Sequence, residues 1–162
     1  MFKKLALTLA LLLASFPSFA AVTANSVVTA QTPNRGIVQF LQGTDAAGTY
    51  KTLYTAGANG SVIKAIWMTS NDASASHLVT CQIVNSAVKY GGAAVTDPIN
   101  AGFATAVASI NFMSPTNWTG LPLDSDGNPY LFMASGDTLQ CTFATAITST
   151  DVLNLVAFAS DF

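Results

Sequence analysis

Asp124, Asp126 and Asn128 stand two residues apart in "PLDSDGNPY" (122–130), the spacing with which an EF-hand loop begins to wrap calcium. Counted from Asp124, the sixth position needs glycine for the sharp turn and holds Pro129. The twelfth needs a bidentate glutamate and holds Ser135. An EF-hand is therefore excluded. A weaker calcium site, completed by carbonyl groups of neighbouring loops, is the alternative to a tight turn. In that turn Gly127 supplies a positive φ and the aspartate side chains bond nearby backbone N–H groups.

Other chemistry is sparse. Asp124 and Asp126 are the one close carboxylate pair, but glycosidic cleavage needs two carboxylates facing each other across a cleft, which neighbours in one turn do not supply. The single histidine, His77, opens a strand after the polar stretch "NDASAS". No Gly-x-Ser-x-Gly elbow gives it a nucleophile, so it is expected to sit at a strand edge in partial contact with solvent. No catalytic residue and no cofactor other than the calcium alternative is expected, and the chain reads as a non-enzyme. Trp118, Tyr130 and Tyr90 lie in or beside loops, where aromatic faces can stack on sugar rings; Trp118 serves better as a core or interface anchor.

The first twenty residues set the compartment. Lys3 and Lys4 precede an apolar run, Leu5 to Leu13, followed by Pro17, Ser18 and Ala20: a secretory signal peptide over 1–20, too short to span a membrane. The mature chain is expected to be periplasmic or extracellular, without a membrane span. Cys81 in "HLVTCQIV" and Cys141 in "TLQCTFAT" both lie in strand-like runs. In an exported protein they favour one disulfide closing about 60 residues, worth roughly 3–4 kcal/mol by chain entropy. Two buried free thiols are the alternative. Two cysteines and one histidine are too few for a zinc site.

Composition narrows the rest. Beyond the signal, four basic residues (Arg35, Lys51, Lys64, Lys89) face eight aspartates and no glutamate, a net charge of −4, so no basic surface for nucleic acid can form. Strong helix formers are scarce and β-branched residues abundant. Residues 21–35, polar and holding Pro33, read as an extended N-terminal arm, and 36–162 as a single domain.

Within that domain the chain breaks into "GIVQFLQG", "TYKTLYT", "SVIKAIWMTS", "HLVTCQIV", "AVKYGG", "GFATAVASINFM", "PYLFMA", "DTLQCTFAT" and "VLNLVAFAS". Each is bounded by Gly, Asn, Asp, Ser or Pro, as in an all-β sandwich or barrel. Alternation in the third run places Ile63, Ala65 and Trp67 on one face, and Val62, Lys64 and Ile66 on the other. That second face is only partly polar, and covering it calls for an oligomer. The terminal "LVAFASDF" ends on Phe162 as outer-membrane barrel strands do, but clean alternation over about ten positions and paired aromatic girdles are missing, leaving a small outer-membrane barrel as the least favoured architecture.

Three stretches, "TLYTAGANGSVIKAIWMTSND" (52–72), "LPLDSDGNPYLFMASGDTLQ" (121–140) and "VLNLVAFASDF" (152–162), resemble the small β-sandwich virion and head-decoration proteins of tailed bacteriophages and prophages. The resemblance runs from about Gln31 onward and rests on the Tyr-Thr-Ala-Gly-Ala-Asn-Gly-Ser strand entry, the Leu-Pro-Leu-Asp turn, the Ser-Gly-Asp-x-Leu entry and the final Asp-Phe. It implies binding to an ordered protein lattice.

The expected fold is thus an antiparallel, jelly-roll-like β-sandwich of about eight strands. The expected function is that of a non-enzymatic structural or assembly protein, associating with identical subunits or a lattice. A secreted binding module, for glycans through Trp118, Tyr130 or Tyr90, is the alternative.

Overall fold

A computed structural model describes residues 32–72, 75–96, 110–147 and 151–162. The signal peptide, residues 21–31 of the expected arm and residues 102–109 of the sixth strand-like run lie outside them. The described residues form nine strands: β1 (Thr32–Leu41), β2 (Lys51–Thr55), β3 (Ser61–Ser70), β4 (Leu78–Asn85), β5 (Val88–Thr96), β6 (Ile110–Asn111), β7 (Leu131–Met133), β8 (Asp137–Phe143) and β9 (Val152–Asp161). Each overlaps one of the nine strand-like runs, where turn residues bound the runs and apolar residues recur at period two.

The strands form two antiparallel sheets. The first has the order β1-β9-β3, with β6 and β7 both pairing β3. The second is β2-β8-β4-β5. Apart from the β4–β5 hairpin and the β6–β7 pair, consecutive strands alternate between the sheets, so the chain laces the two layers together. This is a β-sandwich with its apolar residues inside, which overturns the outer-membrane barrel: one closed sheet would carry its apolar side chains outward, to lipid.

Val38, Phe40, Ile63, Ile66, Met68, Leu153 and Leu155 of the first sheet are buried against Leu53, Val79, Ile83, Leu139 and Phe143 of the second. Phe40 meets Phe143 edge to face across the layers, with ring centroids 5.1 Å apart. Cys81 and Cys141 are register partners on β4 and β8, fully buried, with their sulfurs at bonding distance, 2.09 Å.

β1 begins four residues earlier than the expected domain, since Thr32 to Arg35 pair with Asp161 to Phe158. Pro33 is tolerated there because β1 is an edge strand, half of whose N–H groups face no ladder. That edge is closed by its neighbour across the sandwich. A Cβ on Gly36 would lie 1.9 Å from the Leu53 carbonyl oxygen, so only glycine lets β1 approach β2 this closely. Lys51 bonds the Gln39 carbonyl at 2.9 Å, pairs with Asp45 at 2.6 Å and lies over the Phe40 ring.

Two bulges set which side chains face inward. In β2 the extra residue lets both Leu53 and Tyr54 enter the core. In β3 the register with β9 slips between Ile63 and Ala65, leaving Lys64 as the extra residue. This corrects the face assignment drawn from alternation. Ile63, Ile66 and Met68 point inward, whereas Val62, Ala65 and Trp67 point outward, because one inserted residue inverts the phase of everything after it.

Candidate functional site

Three titratable groups among the described residues, His77, Asp137 and Asp161, are tied to neighbouring strands and loops. His77 is not at a solvent edge: it is fully buried. Its Nε2 lies 3.1 Å from Asp72 Oδ2 and its Nδ1 3.1 Å from the Thr145 carbonyl oxygen. A carbonyl can only accept, so Nδ1 carries a proton. The Nε2–carboxylate contact then holds a second proton, and the pair is either His⁺ with Asp⁻ or neutral on both sides. Asp72 Oδ1 also accepts from the Ala75 N–H at 3.0 Å, which fixes the β3–β4 connection. With both ring nitrogens engaged and no solvent path, His77 is a structural clamp. The polar prefix "NDASAS" gave no sign of this, since the Thr145 carbonyl that receives Nδ1 lies 68 residues on.

Two further carboxylates act as hubs at strand ends. Asp161 Oδ1 accepts from the Tyr54 and Ser61 hydroxyls, each at 2.5 Å, and Oδ2 from Asn34 at 2.9 Å, joining β1, β2 and β3 to β9. Asp137 accepts from Asn85 at 2.8 Å, from the Ala134 N–H at 2.7 Å and from the Tyr90 hydroxyl. The Ser61 and Tyr54 hydroxyls hold the Asp161 carboxyl below the ordinary value. At Asp137 burial pushes the other way, but its three donors outweigh it. Burial beside Asp137 raises the Tyr90 hydroxyl to about 12.

The Asp137 and Asp161 carboxyls are expected to make stability fall in acid. Both carboxyls titrate lower in the folded chain than in the unfolded one, near 3.9, so their contribution is complete above about pH 5 and is lost as pH falls through the folded values. Denaturation midpoints between pH 7 and pH 2 are expected to fall less steeply in Asp137→Asn and Asp161→Asn than in the parent; identical acid slopes would contradict this assignment. At the alkaline end Tyr90 acts oppositely. The unfolded phenol ionises near 10 and the folded one near 12, so stability drops between those values.

"PLDSDGNPY" forms a small hairpin. Tyr130 N–H donates to the Pro122 carbonyl at 3.0 Å, and Leu123 bridges Pro129. Asp124 Oδ1 accepts from the N–H groups of Asp126 (3.0 Å) and Asn128 (2.8 Å), and Gly127 takes φ 82°. These two backbone donors bond the oxygen that calcium would need, and among the described residues no group of three or more metal-ligating side chains converges. The hairpin, Tyr130 included, stands beside Lys64 and Asn111 around a polar recess of about 350 Å³.

The loop aromatics separate. Trp118 is buried, edge to face with Phe112, and belongs to the core rather than to a ligand surface. Tyr90 is half exposed with its hydroxyl tied to Asp137. Of the three, Tyr130 alone lines the recess.

The partly apolar outer face expected of the third run is present on the first sheet, but it carries Val62, Ala65 and Trp67 and not Ile66. Ile37 (57 % exposed), Val156, Trp67 (41 %) and Asn111 form one row across β1, β9, β3 and β6. Arg35, Phe158 (47 %) and Ala65 form the next, and Phe132 (54 %) lies opposite Val62. Together Ala65, Trp67, Thr69, Val156 and Phe158 line a shallow depression of about 560 Å³. The row Gln39, Asn154 and Thr69 bounds the apolar area, with Gln39 bonded to Asn154 at 2.9 Å. The second sheet is the opposite in character. Its central outward residues, Thr52, Thr80, Gln82, Thr138 and Gln140, make an uncharged polar ladder suited to water, while Leu78 and Val88 are exposed on β4 and β5 toward its edge. The Lys64 bulge is what turns Trp67 outward and builds the apolar face.

No protein-family model matches the chain, and no curated protein matches it. Among solved structures it is similar to a chain of the "Cyanophage Pam1 capsid asymmetric unit", with 14 % sequence identity over 89 % of this chain and 97 % of that one. The TM-score is 0.35, a superposition too loose to argue from.

Proposed function

We propose that the chain is an exported, non-enzymatic structural protein that buries the outer face of its β1-β9-β3 sheet against protein subunits of an ordered assembly, as phage decoration proteins do. The observation that carries this reading is the contrast between the two outer faces, one centred on a polar ladder and one presenting Ile37, Trp67, Phe132 and Phe158 together. Contiguous apolar area of this kind marks an interaction site. The strand order β1-β9-β3-β6 over β2-β8-β4-β5 is read as a jelly roll, an architecture used by capsid and lectin domains alike. The sealed His77 and the fully engaged Asp137 and Asp161 support a role without catalysis or cofactor. The disulfide suits an oxidising compartment outside the cytoplasm.

A cysteine placed at Thr69, in the depression, tests the reading. Its maleimide labelling is expected to slow about tenfold or more when the protein is in its native surroundings rather than dilute and purified, taking ~1.4 kcal/mol of protection as the threshold. A Thr52→Cys control on the polar sheet should label alike in both. Equal rates at position 69 would remove the proposal. Glycan binding would instead rest on Tyr130 and its recess, and saturable sugar binding abolished by Tyr130→Ala would favour it.

A further inference from the structure

We infer that the occupant of the apolar face is a second copy of this chain, related by a two-fold axis running parallel to the strands. This rests on the proposed function and specifies its partner.

Sheets that pack face to face keep their strands within about 30° of alignment. Two in-plane two-fold axes satisfy that condition for identical sheets, one along the strands and one across them. Charge at the two edges of the face distinguishes them. Arg35 is exposed on β1, in the row of Phe158 and Ala65, and makes no ion pair among the described residues. At the other edge, β7 pairs Ser61 to Ile63 and β6 pairs Trp67 and Met68. The level between them, that of Ala65, is flanked by the 122–130 hairpin, whose Asp124 and Asp126 share the recess with Lys64. Lys64 offsets one of these two charges, which leaves the hairpin edge net negative, with Asp126 exposed on it.

An axis across the strands would set each edge against itself, Arg35 over Arg35 and Asp126 over Asp126. An axis along the strands exchanges the edges. Arg35 of each copy then lies over the acidic hairpin of the other, twice by symmetry, with Trp67 and Phe158 between the two pairs. The polar outer face of the second sheet offers no comparable apolar centre.

Sedimentation velocity and light scattering on the mature chain, with Arg35→Asp, Asp126→Arg and the double variant, test the arrangement. The parent is expected to dimerise; each single variant should weaken the dimer about tenfold, since it makes two symmetric rim pairs repulsive, and the double variant should recover most of the loss. Both side chains are exposed, and Asp126 holds the turn through its backbone N–H, so melting curves of the dilute monomers should coincide. A double variant no better than the singles would overturn the two-fold geometry. A parent that stays monomeric while Thr69→Cys is protected in native surroundings would overturn the second copy as occupant and leave the proposed function standing. A monomeric parent with position 69 open throughout would remove both.

Discussion

His77→Ala is expected to cost about 3–5 kcal/mol, a large share of the stability of a domain this size. The substitution leaves the Asp72 carboxyl fully buried with its imidazole gone, and the Thr145 carbonyl without its donor. Removing one member of a buried pair costs more than the pair itself contributes, because the remaining group keeps its desolvation penalty. Asp72→Ala combined with His77→Ala should therefore lose less than the two single losses added. Urea denaturation at pH 7 with the disulfide intact gives the comparison. A loss below ~1 kcal/mol for His77→Ala would mean that the contact is incidental.

The second large effect belongs to the Cys81–Cys141 bridge. Replacing both residues with alanine is expected to lower stability by roughly 4 kcal/mol, the chain-entropy value for a closed loop of this length, the cysteines being 60 residues apart. β4 and β8 remain paired through seven register positions without the bond, so the folded structure should change little. The effect sits mainly in the unfolded chain, which gains freedom when the link is removed. A reductant added during unfolding should cost the parent a similar amount and leave the double variant untouched. Equal midpoints for parent and double variant would show that the link contributes nothing.

Both effects belong to the scaffold that carries the proposed docking face, on which Ile37, Trp67 and Phe158 are exposed.

The strands, the turns and the hairpin at 122–130 were legible in the amino-acid sequence because their causes are local. Period-two alternation, Asp126-Gly127 and the Asx bonds of Asp124 act within a few residues. The cysteine pairing was legible for a different reason: both residues lie in strand-like runs of a chain whose first twenty residues read as an export signal. What local pattern could not supply was the phase of β3. "SVIKAIWMTS" alternates equally well in either reading, and only pairing with β9 places the extra residue at Lys64 and turns Trp67 from the core to the surface. His77, Trp118 and Asp161 likewise took their roles from partners remote in sequence or from burial: Thr145 is 68 residues from His77, and Tyr54 is 107 from Asp161. The sequence by itself determined where the chain extends and where it turns. The tertiary structure decided which side of each strand meets water, because a single bulge reverses that choice and its position is set by the neighbouring strand.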